Sequence, residues 1–397
     1  TLSGMKDGKL STESYKGVRD ICPEDQCVQK YMLETMARTC ELFGYEEYNA
    51  SVLEPAELYR SKTSDEIVNE QTYTFTDRGD REVTLRPEMT PTVARMIAGK
   101  RRDLALPVRW YCIQNFFRYE RPQRGRLREF WQMNADIVGA AGIEADAEVL
   151  ALAYGILRQF GADDKDFEIH VSDRRLLENA YDFEGSVKEL VGDRAEKLIE
   201  FIDRTTSTAY LEELRALLKT MGVSNVVVDT KITRGFDYYT GMVFEIFDTN
   251  EENKRSLFGG GRYDNLLNLF SDESIPAVGF AVGDVTLRDF LETHNLMPKY
   301  APATELMLCV VDQSAMGHAT KLAQDLRRED ISVAVNLSGK RIGDQIRQAD
   351  KMKVPFVIAI GEQERISGQY VVKNLLSGNE MTLAADRIAE HLFSATG

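Results

Sequence analysis

The chain has 397 residues, 43 % hydrophobic and 28 % charged, the balance of a globular protein of two or three domains. Its 49 basic and 64 acidic residues leave a net charge of -15, which argues against a nucleic-acid coat protein or a polybasic membrane binder but not against a local basic site. The longest apolar run, Val149 to Leu157, is far below the ~20 residues a bilayer needs, and the polar start, Thr1 to Tyr15, shows no signal-peptide region.

Cys22, Cys27, Cys40, Cys112 and Cys309 form no CxxC pair, and the four histidines are dispersed. No metal site and a reduced, cytoplasmic setting are therefore expected. In chain order, Glu24 to Phe43 predicts a long amphipathic helix. Thr72–Thr76 and Glu82–Leu85 flank Arg78-Gly79-Asp80 as a hairpin. Thr90 to Ala98 reads as a helix with Thr90 as N-cap. Val108–Tyr119, Glu129–Val138, Phe167–Val171, Val226–Ile232 and Met242–Phe247 are β-rich. Short connections between them predict an antiparallel sheet with helices on one side. The polar stretch from Arg174 to Met221 reads as a helical insertion, about 174–222.

Met297 to Ala303 carries two prolines and reads as a linker, 298–303, between domains 1–297 and 304–397. Beyond it, Leu306–Val311, Ser332–Leu337 and Phe356–Ile360 are strand-like, and Gln369–Val372 is an edge candidate. His318–Arg328, Arg341–Met352 and Leu383–Leu392 are helical in spacing. This alternation implies a small α/β domain with a mostly parallel sheet.

Four segments carry chemistry. Residues 95–128 hold ten basic residues against Asp103 and Glu120, a net +8. A solvated face explains most such runs, but these arginines sit in a strand–loop–strand context. The guanidinium fork suits phosphate oxygens, and Phe130 beside them offers a stacking face for a base. Arg234 to Gly241 places Tyr238 and Tyr239 beside Asp237; an ordinary strand with a tyrosine corner is the plainer alternative. Phe258 to Asp264 contains three glycines, which permit close approach to a ligand, although turns explain most glycine runs. Neither GxGxxG nor GxxxxGK[ST] occurs. Glu88, in Thr84 to Thr90, follows a strand at a helix entrance, where it could hold an ammonium group or simply favour the helix dipole.

Together and in this order, the four segments resemble the histidyl-tRNA synthetases, class II aminoacyl-tRNA synthetases, from Lys16-Gly17-Val18-Arg19-Asp20 to the C-terminus. Arg118-Tyr119-Glu120-Arg121-Pro122-Gln123 resembles motif 2. Arg234 to Gly241 and Gly260-Gly261-Arg262-Tyr263-Asp264 resemble the two histidine-specific motifs, and Leu53-Glu54-Pro55 falls at motif 1. The resemblance implies an α+β catalytic domain, with an antiparallel sheet flanked by helices and the helical insertion, plus a C-terminal α/β anticodon-binding domain. It implies a ligase that uses ATP, with Mg²⁺, to join L-histidine to tRNA(His) as a homodimer, with neither DNA nor membrane as partner.

The residue roles follow from the same resemblance. Arg118 and Arg234 would grip the α-phosphate as the catalytic pair, and Arg234 would also serve the histidine site. Glu120 would face the adenine amino group, Phe130 would stack on the ring, and Arg126 would join the ATP site. Glu88, Thr90, Gln132 and Asp136 would hold the ammonium and imidazole, with Tyr238, Tyr239 and Tyr263 around them. Arg121 and Gln123 would face the tRNA acceptor end.

Three positions depart from the family pattern. Thr286 stands where motif 3 places an ATP-clamping arginine, Asn134 replaces a glycine, and Asp136 replaces a glutamate. Arg126 or Arg128 is the candidate substitute for the missing cation. The rival reading is a non-catalytic, histidine-sensing paralogue resembling the regulatory subunit of ATP phosphoribosyltransferase. A general ATP-dependent ligase without tRNA would leave residues 302–397 unexplained.

Overall fold

The computed structural model describes residues 5–6, 9–60, 71–174, 209–229, 231–232, 238–253, 255–270 and 273–396. Arg234, and most of the expected insertion at 174–222, lie outside these residues. The chain divides into two compact units, Thr1–Pro298 and Lys299–Gly397. No helix among the described residues is long and apolar enough to cross a membrane.

After a short two-stranded hairpin, Met5–Lys6 with Lys9–Leu10, comes α1 (Pro23–Leu42), opened by a proline and by Glu24 and Asp25 in its first turn. Both features favour a helix N-terminus. Met32, Met36 and Cys40, four residues apart, form its buried stripe. After β1 (Glu46–Glu47) and β2 (Leu53–Pro55) comes the predicted hairpin, β3 (Tyr73–Thr76) and β4 (Glu82–Leu85), which β2 extends in the order β2-β4-β3. Helix α2 (Thr90–Lys100) is N-capped at Met89, with no side-chain cap bond, so Thr90 is its first helical residue and not its cap. Pro91 supplies the helix start instead.

Next come β5 (Val108–Phe117), β6 (Glu129–Val138), α3 (Ile143–Gln159), β7 (Phe167–Asp173), α4 (Ala209–Thr220) and β8 (Val226–Val228). The unit closes with β9 (Met242–Asp248), β10 (Ser256–Arg262), β11 (Ala277–Gly283) and α5 (Asp284–Thr293). The strands form an eight-stranded sheet in the order β8-β7-β9-β10-β11-β6-β5-β1. Its interior pairings are antiparallel, as expected, but β8–β7 and β5–β1 at the two edges are parallel. The sheet is therefore mixed.

Strand alternation divides this sheet into two faces. Met133, Ala135 and Ile137 of β6, with Val278, Phe280 and Val282 of β11, join the core formed with α1, α3, α4 and α5. The intervening residues of β6, Gln132, Asn134 and Asp136, face the other way. Opposite them on β11 stand Gly283, Ala281 and Gly279. A polar row thus meets a row with almost no side chain, and a cavity results.

The second unit holds β12 (Leu306–Val310), α6 (Met316–Arg327), β13 (Val333–Val335), α7 (Ile342–Lys351), β14 (Phe356–Ile360), α8 (Glu362–Ser367), β15 (Gln369–Asn374), β16 (Glu380–Ala384) and α9 (Ala385–Thr396). The sheet order is β13-β12-β14-β15-β16. The first three strands are parallel, and the last two pairings are antiparallel. The expected edge strand, β15, is interior. The edge is β16, whose sequence Glu-Met-Thr-Leu-Ala lacks the apolar run of a buried strand.

Candidate active site

Two cavities open on the face of the first sheet opposite α1, α3, α4 and α5, where α2 also packs. One, of about 610 Å³, is lined by Glu88, Thr90, Asp136, Tyr238, Tyr239 and Tyr263, among others. The other, of about 670 Å³, is lined by Glu120, Arg126, Phe130, Leu257, Val285 and Thr286, among others. Arg118, Gln132 and Ala281 line both, so the two are neighbouring compartments with a common wall.

The first compartment is polar, and its acids are hydrogen-bonded by tyrosines. The Tyr263 hydroxyl donates to Asp136 Oδ1. Asp136 is 4 % exposed, and burial, outweighing that hydrogen bond, pushes its carboxyl up to about 7. The Tyr238 hydroxyl donates to Glu88 Oε2 at 3.0 Å, and Tyr59 donates to the Glu88 carbonyl at 3.3 Å. Burial also holds the phenols of Tyr238 and Tyr263 well above their ordinary value. The glycines here provide close approach. A Cβ on Gly279 would sit 2.1 Å from Asp136 Oδ1, and one on Gly259 would sit 2.2 Å from the Phe244 carbonyl oxygen. An acceptor at the far end and a carboxylate at the entrance of α2 suit a ligand with ring N–H and ammonium groups.

The second compartment has an aromatic floor and cationic walls. Arg118 Nε donates to the Pro87 carbonyl at 2.9 Å, and its guanidinium lies 5.4 Å from the Phe130 ring centroid. Phe130 is backed by the stacked ring of Phe116 at 6.0 Å. Arg126 Nη1 donates to Glu120 Oε2 at 3.0 Å. Leu127, Leu257, Phe258 and Val285 add apolar surface. A flat base beside a polyphosphate fits this division.

Thr286 contributes no charge here. Its hydroxyl donates to the Leu257 carbonyl at 2.7 Å, which ties the start of α5 to β10. Two residues earlier, Asp284 is buried; it accepts from Arg19 Nη2 at 2.5 Å and from the Trp131 N–H at 3.0 Å. Of the two candidate substitute cations, Arg126 lines the compartment. Arg128 instead donates to the Glu120 carbonyl at 3.1 Å and to the Tyr15 hydroxyl at 3.1 Å, and lies 3.9 Å from the Tyr119 ring centroid.

The other expected residues fall nearby but line neither compartment. Arg121 is exposed on the loop between β5 and β6. Gln123 bridges to Arg126 across that loop and accepts from Arg255 Nη2 at 3.2 Å. Sequence reasoning singled out Gly259 among the close-approach glycines but missed Gly279, Ala281 and Leu257 as lining residues and assigned no role to Asn134. The period-2 alternation of Gln132, Asn134 and Asp136 was the signal that could have placed Asn134.

A family model for histidyl-tRNA synthetase matches residues 17–189 and 165–286, and one for an anticodon binding domain matches residues 305–393. A histidine–tRNA ligase of Leptospira biflexa is 39 % identical across 98 % of this chain and 100 % of its own. The apo histidyl-tRNA synthetase of S. aureus has a TM-score of 0.78 at 28 % identity, covering 96 % of this chain and 100 % of that one. A structure described as an ATP phosphoribosyltransferase regulatory subunit/histidyl-tRNA synthetase, from Bacillus halodurans C, has a TM-score of 0.67 at 25 % identity, covering 86 % and 97 %. With two motif-bearing compartments on one sheet face, and matched through nearly its whole length, the chain belongs to the histidyl-tRNA synthetase family.

Proposed function

We propose that this protein is a histidine–tRNA ligase that activates L-histidine with ATP and transfers it to tRNA(His). The shared wall of the two compartments carries this reading: Arg118 and Gln132 stand between the acid-and-tyrosine compartment and the nucleotide-shaped one. In the first step the histidine carboxylate attacks the α-phosphorus, and the bond to pyrophosphate breaks. Negative charge grows on the phosphoryl oxygens, so fixed cations matter more than a general base. Arg118, braced by the Pro87 carbonyl, serves from one side, and Arg234 is assigned the other. Asp136 and Tyr263 take the imidazole, Glu88, Thr90 and Gln132 the ammonium, and Tyr238 and Tyr239 complete the walls. Phe130 stacks on adenine, Glu120 accepts from its amino group, and Arg126 takes phosphate oxygens.

In the second step the terminal ribose hydroxyl of tRNA attacks the adenylate carbonyl carbon, and AMP leaves. Arg121 and Gln123 face that end of the tRNA, and residues 304–397 take its anticodon stem. Mg²⁺ would be held mainly by the phosphates of ATP and would help neutralise their charge, since among the described residues Glu120 is the one carboxylate lining that compartment, too few for a protein cage. The setting is a cytoplasmic homodimer, and sedimentation as monomer alone would refute the dimer.

The decisive assay is pyrophosphate exchange followed by charging of tRNA with radiolabelled histidine. A histidine sensor without catalysis is the second reading, favoured by the uncharged Thr286 at the motif 3 position. Histidine binding with neither exchange nor charging would establish the sensor and sink the ligase.

A further inference from the structure

Asn134 lies between Gln132 and Asp136 on the cavity face of β6 and is 4 % exposed. Its Oδ1 accepts from Gln132 Nε2 at 2.8 Å. Its own Nδ2 is buried with no oxygen or nitrogen partner, and its cross-strand neighbour on β5, the Cys112 thiol, is only a weak acceptor. A buried donor left so weakly paired costs stability, so packing alone is a poor reason for an asparagine here. Ala281, opposite it on β11, brings no competing polar group.

The carboxamide of Gln132 has two orientations, related by a half-turn of its last torsion. One shows the cavity N–H donors and the other shows Oε1. An ammonium group has only donors, so the first orientation repels it and the second accepts from it. With Nε2 tied to Asn134, Oε1 is the end left for the cavity. We propose that Asn134 is a positioning residue that locks the Gln132 carboxamide with Oε1 toward the α-ammonium of the bound amino acid, and so contributes to selection of an α-amino acid over other imidazoles. This rests on the assignment of Gln132 under the proposed function.

The test is calorimetric titration of the full chain with L-histidine and with 3-(imidazol-4-yl)propanoate, which has the ring and carboxylate but no amino group. Asn134→Leu and the smaller Asn134→Gly should each weaken L-histidine binding by about tenfold or more, the size of one hydrogen bond to a charged group. The analogue should change by less than about twofold, because the lost contact touches only the ammonium. Asn134→Asp, which still accepts from Gln132, should recover most of the histidine affinity. Gln132→Leu should show the same selective loss, and adding Asn134→Leu to it should cost nothing further. Equal losses for the two ligands, no loss at all, or additive losses in the double variant would overturn the proposal while leaving the ligase standing. Failure of the unaltered protein to bind L-histidine would overturn both.

Discussion

Asp136 offers a measurable conflict between stability and binding. Its carboxyl is buried beneath Tyr263, and Gly279 is so close that no side chain fits between them. Burial raises it from 3.8 to about 7. Between these values the folded protein holds a proton that the unfolded chain has released. Folding is therefore favoured at low pH, and the advantage is lost as pH rises through about 7. At 1.36 kcal/mol per tenfold change in proton affinity, the full cost approaches about 4 kcal/mol above pH 8.

Asp136→Asn keeps the shape and the acceptor for Tyr263 but cannot ionise. The unliganded variant should be more stable than the natural chain at pH 8, by up to about 4 kcal/mol, with the difference fading towards pH 4. Unfolding in urea from pH 5 to 8 measures it. Saturating L-histidine should close the gap, because the ring N–H gives the ionised carboxylate a second donor beside the Tyr263 hydroxyl. The reasoning is refuted if the stability of the natural chain relative to Asp136→Asn does not decline across that range.

Arg118→Ala should lower the rate of pyrophosphate exchange by about 10²–10³-fold, and a loss below tenfold would remove Arg118 from the transition state. Arg234→Ala should reduce adenylate formation far more than histidine affinity, and equal losses would contradict its assignment. Thr286→Arg should lower the KM for ATP by about 2- to 30-fold through a cation–π contact with the base, and an unchanged KM would show that the wall at Leu257 excludes a cation. Arg262 donates from Nη2 and Nε to Oδ1 of buried Asp146 at 2.7 and 2.9 Å, and Asp146 also accepts from Tyr210. Arg262→Met should cost about 3–5 kcal/mol by calorimetric unfolding, and adding Asp146→Leu should return most of it; no recovery would place the effect elsewhere.

The β-rich stretches were legible because their apolar residues recur every second position, and β6 appears at its predicted bounds, Glu129–Val138. Two central elements were not legible. Helix α3 is buried nearly all round, Ala145 to Leu157, so no polar face marks its period. Strand β10 carries Gly259, Gly260 and Gly261, which lower strand propensity and imitate a turn. Packing is what requires them: a Cβ on Gly260 would lie 2.1 Å from the Gly279 carbonyl oxygen, and one on Gly261 would lie 2.6 Å from that of Met242. The polar motif residues line the site, but its shape depends on glycines that leave room by having no side chain.

Charge shows the same division between local pattern and remote partner. The +8 segment is largely matched by partners, although Lys100, Arg102 and Arg121 stay exposed. Arg95 pairs with Glu54, Arg101 with Glu273, Arg109 with Glu148 and Arg124 with Asp289. Four of its ten cations are thus matched by acids the segment does not contain, and Arg128 is spent on tyrosines and a carbonyl. Two cations from it, Arg118 and Arg126, line the nucleotide compartment. Arg118 is held by a carbonyl and a ring, with Glu120 Oε1 at the outer limit of an ion pair, 4.0 Å away. Arg126 is paired with Glu120 while half-exposed, at 55 %, and such a pair contributes at most about 1 kcal/mol. In the proposed roles, ATP supplies both partners with something better: phosphate oxygens for Arg126 and the adenine amino group for Glu120. One binding event then replaces a weak internal pair with two charge-assisted contacts. On that basis an acidic chain can hold a polyanion at this compartment although much of the segment's charge is already matched.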